Sequence, residues 1–176
     1  MDWNTLYKSR TVSAEEAVQA IKSGNRIFMT GNVSVPTMVL GALVANASKL
    51  KDVEICQALT IGPADYVKPE MEGHLRVNTL FISDIVRKAV QEGRADFTPV
   101  LLSEFPLLFK NKVLPVDAAL IHVSMPDDHG FCSLGVEVGL TKSPAESAKI
   151  IIAEVNDQMP RTLGDSFLHV SRLTHI

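Results

Sequence analysis

Two stretches constrain this chain most: DAALIHVS (117–124) and KIIIAEVN (149–156) are nearly unbroken apolar runs of strand length. A strand that is apolar on both faces has to be covered on both faces, and a sheet with one side open to water does not do that. Runs of this kind belong inside a mainly parallel sheet with helices packed on either side. The rest of the sequence supplies those helices in alternation. Ser13 and Glu16 have capping-box spacing ahead of apolar positions Ala17, Val18, Ala20 and Ile21, and Gly24 sits where a helix would stop. RIFMTG (26–31) reads as a short buried strand, and Pro36 suits the first turn of a helix running to about Ala47.

VEICQALT (53–60) and RVNTLFIS (76–83) read as further strands, followed by a helix over DIVRKAVQEG (84–93). TPVLLS (98–103) is strand-like, SEFPLLFK (103–110) is a short helix with Pro106 in its first turn, and AESAK (145–149) closes another. Strands alternating with helices over 176 residues predict one α/β domain, a mainly parallel twisted sheet flanked by helices.

Charge narrows the function classes. The formal net charge is −3, and no run of Lys or Arg exceeds the pair Arg87 and Lys88. Nucleic-acid binding needs a clustered basic face and is not expected. The two cysteines, Cys56 and Cys132, make neither a disulfide framework nor a Cys-x-x-Cys pair, so both are read as reduced thiols. The start MDWNTLYKSR lacks the pattern of a signal peptide, and no apolar run approaches the ~20 residues a membrane helix needs. A soluble, cytoplasmic protein without a membrane partner is the expectation.

In a parallel sheet, ligands bind beyond the carboxyl ends of the strands. The loops expected there are GNVSVP (31–36), SMPDDHGFCSLG (124–135) and VNDQMPRTLGDS (155–166), where much of the Gly, Pro, Asn and Asp is concentrated. The second holds Asp127, Asp128, His129 and Cys132, all possible metal ligands. Adjacent residues seldom face one ion and no second cluster completes a tetrahedral site, so no metal is expected. The plainer reading is a turn in which Asp side chains bond backbone amides and Gly130 takes a positive φ. Cys132 three residues from His129 does not establish a thiolate–imidazolium pair, and a packed side chain is favoured. Ser133 lacks a nucleophile-elbow context. His122 and His169 read as half-buried histidines, and Glu104 as an acid at a helix start. GNVSVP is no phosphate-binding fingerprint, yet a glycine after a strand and amides at a helix start could receive a carboxylate or oxyanion.

HVSMPDDHGFCSLG (122–135) and TKSPAESAKIIIAEVNDQMPRTLGDSFLHVS (141–171) carry a long pattern: P-D-x-x-G-x-C-S-L-G, then I-A-x-V-N-x-x-M-P-R-T-x-G-D. It closely resembles the acetyl-CoA hydrolase/transferase family, with 4-hydroxybutyrate CoA-transferases as the nearest members suggested. The resemblance covers residues 1–176 and implies one N-terminal CoA-transferase domain, with the C-terminal catalytic half absent. In that family two similar α/β halves cooperate. A glutamate of the second half attacks an acyl-CoA, giving an acyl-glutamyl anhydride and then a glutamyl-CoA thioester, from which a second carboxylate takes the CoA. Glu104 in LLSEF echoes that glutamate's setting but lies in the wrong half, so no catalytic residue is assigned to this chain.

The implied substrates are an acyl-CoA and a small carboxylic acid such as 4-hydroxybutyrate, with coenzyme A as substrate and no cofactor. A C-terminal CoA-transferase half and a homo-oligomer are the implied partners. The implied substrate-binding residues are Gly31, Asn32, Val33, Ser34 and Pro36; Pro126, Gly130, Cys132 and Ser133; and Met159, Pro160 and Arg161. Gly31 to Ser34 would lie near the reacting acyl group, while Arg161 is expected mainly to pair with an acid. An acyl-CoA hydrolase is the alternative activity, and a catalytically inactive ligand-binding or interaction domain is the alternative of another class.

Overall fold

The computed structural model describes residues 2–176. Eight strands run, in chain order, as β1 (Arg26–Met29), β2 (Val53–Ala58), β3 (Leu75–Phe81), β4 (Ala95–Phe97), β5 (Ala118–Ser124), β6 (Phe131–Ser133), β7 (Ile150–Asn156) and β8 (Phe167–His169). Six of them form one sheet in the order β4-β3-β2-β1-β5-β7, and every neighbouring pair is parallel. The helices are α1 (Trp3–Arg10), α2 (Ala14–Ala17), α3 (Thr37–Asn46), α4 (Asp84–Gln91), α5 (Phe105–Lys110) and α6 (Lys142–Ser147).

The two apolar runs are the adjacent strands β5 and β7, in continuous register from Ala118 opposite Ile150 to Ser124 opposite Asn156. Alternate residues feed two cores, one on each side of the sheet, because successive strand side chains point to opposite faces. Ile27, Met29, Val53, Ile55, Leu120 and Ile152 meet Val39, Leu40 and Leu43 of α3 and Val86 and Ala89 of α4. Phe28, Cys56, Ala119, Ile121, Ile151 and Ala153 pack on the opposite side with Phe105, Phe109, Ala145 and Leu168. Phe28 stands edge-on to Phe109, with centroids 5.7 Å apart, and to Phe105 at 6.4 Å, which fixes α5 to the sheet.

The structure differs from the sequence reading in particular places. Ser13 Oγ accepts from the Glu16 amide at 3.2 Å, but the reciprocal bond from the Glu16 side chain is not formed among the described residues. The expected strand over 98–103 is corrected to β4, the three residues before it. Thr98 still donates to the Thr79 carbonyl at 3.1 Å, but Pro99 has no N–H with which to extend the ladder. The chain then turns through a 3-10 segment at Leu102–Glu104 into α5, with Pro106 in the first turn.

Two features were not anticipated. One is α1, which buries no residue of its own and so carries no amphipathic signature. It is held by Trp3 Nε1 donating to the Asp128 carbonyl at 3.0 Å and by Arg10 donating to the Val170 and Ser171 carbonyls. The other is the antiparallel pair β6–β8, three residues each, joining segments far apart in the chain.

The strand order reverses at β1, which lies between β2 and β5. Connections therefore leave β1 and β5 in opposite directions across the sheet, and a crevice opens beyond their carboxyl ends. No helix among the described residues is long and apolar enough to cross a membrane.

Candidate functional site

At the carboxyl end of β1 the backbone comes unusually close to β2. A Cβ added to Gly31 would lie 2.0 Å from the Ala58 carbonyl oxygen, so only glycine fits there. The next residue, Asn32, has φ 51°, and its neighbour across the gap, Leu59, has φ 48°. Asn32 donates its amide to the Leu59 carbonyl at 2.8 Å, Ile61 donates to the Asn32 carbonyl at 3.2 Å, and Ser34 closes a turn onto Gly31 at 3.1 Å. Asn tolerates the left-handed region; for Leu it stores strain that the surrounding bonds have to hold. The Asn32 side chain donates Nδ2–H to the Glu137 carboxylate, whose other oxygen accepts from the Leu140 amide at 3.2 Å.

These braced strand ends form one wall of a cavity of about 650 Å³. Asn32, Ala58, Leu59, Leu80 and Phe81 come from the ends of β1, β2 and β3. Val100, Leu101, Leu102 and Phe105 face them from the segment leading into α5, and Glu137, Gly139 and Leu140 close a third side. A concave space of this size with mostly apolar walls and few polar groups is the usual form of a small-molecule site.

A second opening lies on the other side of β1, among Thr37, Met38, His122, Glu154, Asn156 and Asp157. Here the amides at the start of α3 are already taken. Glu154 accepts from Met38 N at 2.9 Å and from Val39 N at 3.1 Å. The oxyanion position suggested by GNVSVP followed by a helix is thus filled by the chain's own carboxylate. His122 pairs in register with Glu154. Burial holds its imidazole below the ordinary histidine range, with Glu154 and the Ser34 backbone opposing that effect. The Ser34 hydroxyl is fully buried with no partner among the described residues.

SMPDDHGFCSLG forms a tight turn into β6. Asp127 Oδ1 accepts from the His129 and Phe131 amides, both at 2.9 Å, and Gly130 takes φ 82°. Arg161 donates to Asp127 Oδ2 at 2.5 Å and to the Phe131 carbonyl at 2.9 Å, and its guanidinium lies 4.6 Å from the Phe167 ring centroid. Backbone donors, chiefly Phe131, hold the Asp127 carboxyl below the usual range, with Arg161 adding to the effect. Arg161 therefore pairs with an acid, as expected. Ser133 Oγ accepts from the amides of Gly135 and Thr162, each at 3.1 Å, tying β6 to the 155–166 loop. Met159 packs directly beneath Gly135, with Pro160 following it. Cys132 is fully buried, and burial pushes its thiol up to about 12, which leaves it no thiolate character near neutrality.

The site residues named from the sequence thus fall into two groups. Gly31 and Asn32 shape the cavity; Val33 stands exposed beside it, while Ser34 and Pro36 carry the chain into α3. Pro126, Gly130, Cys132, Ser133, Met159, Pro160 and Arg161 belong to the clamp between the β6 turn and the 155–166 loop, and none of them lines the cavity. The residues that do line it, Leu59, Phe81, Leu101, Leu102 and Glu137 among them, were missed. Their signal was faint: Leu59 follows β2, Phe81 ends β3, and Leu101 and Leu102 lie in the segment between β4 and α5, apolar side chains where solvent-facing polar residues are usual.

The parallel sheet has its order reversed at β1, and an apolar cavity of small-molecule size lies beyond the ends of β1, β2 and β3. Residues 1–176 match the acetyl-CoA hydrolase/transferase N-terminal domain, and the chain belongs to that family. It is 48% identical over 176 residues to the 4-hydroxybutyrate coenzyme A transferase of Clostridium kluyveri, spanning all of this chain and 41% of that protein. The crystal structure of 4-hydroxybutyrate CoA-transferase from Porphyromonas gingivalis superposes with a TM-score of 0.82 at 32% identity, covering 99% of this chain and 40% of that one. RipA from Yersinia pestis gives a TM-score of 0.91 at 27% identity, with 99% and 43% covered. The chain spans about two-fifths of the length of these relatives.

Proposed function

We propose that this chain is the substrate-cradling half of a CoA-transferase that moves CoA between an acyl-CoA and a small carboxylic acid such as 4-hydroxybutyrate. The observation that carries this reading is the apolar cavity at the strand ends together with its rim. Val33, Ile61, Phe81, Leu101 and Leu102 all lie at this end of the sheet and are 71, 57, 56, 67 and 73% exposed. Water-facing apolar side chains grouped around a cavity mark a surface that meets a partner, and a second half of the same protein fits that need.

In this reading the reacting glutamate comes from the second half. Its carboxylate attacks the thioester carbonyl, the C–S bond breaks, and CoA leaves as thiolate while an acyl-glutamyl anhydride forms. The thiolate then attacks the glutamyl carbonyl, releasing the acyl group as a carboxylate and leaving a glutamyl-CoA thioester. The acceptor acid repeats the two steps in reverse and departs as its CoA thioester, so no water is consumed and no cofactor is required. This chain's contribution is position and dryness. Gly31 lets the β1 loop lie against β2, Asn32 holds the loop to Glu137, and the Leu and Phe walls keep water from the anhydride.

The test is reconstitution. The chain and a separately produced second half are mixed with acetyl-CoA and 4-hydroxybutyrate, and 4-hydroxybutyryl-CoA is followed by mass. Product is expected only when both are present, and the chain alone is expected to self-associate through its apolar rim. Product from the chain alone, or none from the mixture, would contradict the proposal.

A further inference from the structure

We propose that Glu137 makes the cavity selective for uncharged acyl groups, alkyl or hydroxyalkyl, and excludes acyl groups that carry a second carboxylate. This inference rests on the CoA-transferase reading and specifies the substrate class that such an enzyme would take. Glu137 is only 7% exposed, yet it lines the cavity. Among the described residues it is the single charged residue of that lining, and no Lys, Arg or His shares the wall with it.

Both of its protein partners are N–H donors, Asn32 Nδ2 and the Leu140 amide, one on each oxygen. A carboxylate can accept about four hydrogen bonds, so Glu137 keeps acceptor capacity beyond those two donors. A hydroxyl on the acyl chain can donate to it. A second carboxylate would meet a like charge between apolar walls that carry no cation among the described residues, and such juxtapositions are disfavoured. The opposite walls, Leu59, Phe81, Leu101 and Leu102, offer an alkyl chain continuous apolar contact.

The experiment uses the complete protein carrying this domain and measures kcat/KM for butyryl-CoA, 4-hydroxybutyryl-CoA and succinyl-CoA with acetate as acceptor, in the wild type and in Glu137→Gln. The wild type is expected to favour butyryl-CoA over succinyl-CoA by about 100-fold or more, and the variant to lower that ratio by about 10-fold or more. The ratio is the readout because a loss of Asn32 bracing would slow all three substrates together and leave it unchanged.

Comparable use of succinyl-CoA by the wild type would overturn the proposal without any variant, so it remains testable if Glu137→Gln fails to fold. A variant that changes KM equally for all three would also overturn it, since the cavity would then hold the part of CoA they share. Absence of turnover with every acyl-CoA would sink the CoA-transferase reading itself, and this proposal with it.

Discussion

Replacing Gly31 with valine in the complete protein is expected to lower turnover by about 100-fold or more, the scale set by displacing a reacting group by about an ångström. The added Cβ would start 2.0 Å from the Ala58 carbonyl oxygen, a backbone atom that cannot rotate away, so the β1 loop has to move off β2. That movement breaks the bond from Asn32 N to Leu59 O and with it the left-handed pair that shapes the cavity. Overpacking of this kind costs about 1–3 kcal/mol of stability, so the variant should fold and lose activity more than it loses stability. Gly41 in α3 is the matched control. A Cβ there meets nothing within 4 Å, and Gly41→Ala should be neutral or slightly stabilising. Steady-state kinetics beside thermal melts of both variants check this. Normal turnover by Gly31→Val would remove the loop from the site.

Phe28→Ala is expected to cost about 3–5 kcal/mol, the range for emptying a fully buried aromatic site. Phe28 is 1% exposed in the middle of β1 and is the common neighbour of Phe105 and Phe109, which also touch each other at 5.3 Å. Phe105 is the cavity residue of the three. Removing Phe28 therefore loosens α5 against the sheet and with it one wall of the site. Urea unfolding of the domain measures the loss; a change under about 1 kcal/mol would mean that the trio does not act as one packed unit.

Much of the fold was legible because its signals are local and repeated. β5 and β7 announce themselves as apolar on both faces, and Ser13 caps the start of α2 through the amide of Glu16. The Asp127 turn and the Arg161 pairing were legible for the same reason, since Asp, Gly and Arg have few conformational and bonding options in a tight loop. What stayed hidden depends on tertiary placement. β6 and β8 are three residues each and stabilise one another only after the chain has returned. β4 ends where Pro99 withholds a donor, which an apolar pattern over 98–103 does not express. The cavity is built from Leu59, Phe81 and Leu101, ordinary core residue types whose position at the strand ends is set by the sheet register. Glu154 shows the converse case: the amides at the start of α3 were readable as an anion site, but the carboxylate that fills it comes from β7, 116 residues away from Met38.

We propose that the cavity beyond β1, β2 and β3 receives the acyl portion of the substrate. The most direct measurement is a crystal structure of the complete protein with butyryl-CoA bound. The acyl carbons are expected in van der Waals contact with Leu59, Phe81 and Leu101, beside Asn32 and Glu137. An acyl group seated instead in the polar opening between His122 and Glu154 would contradict it.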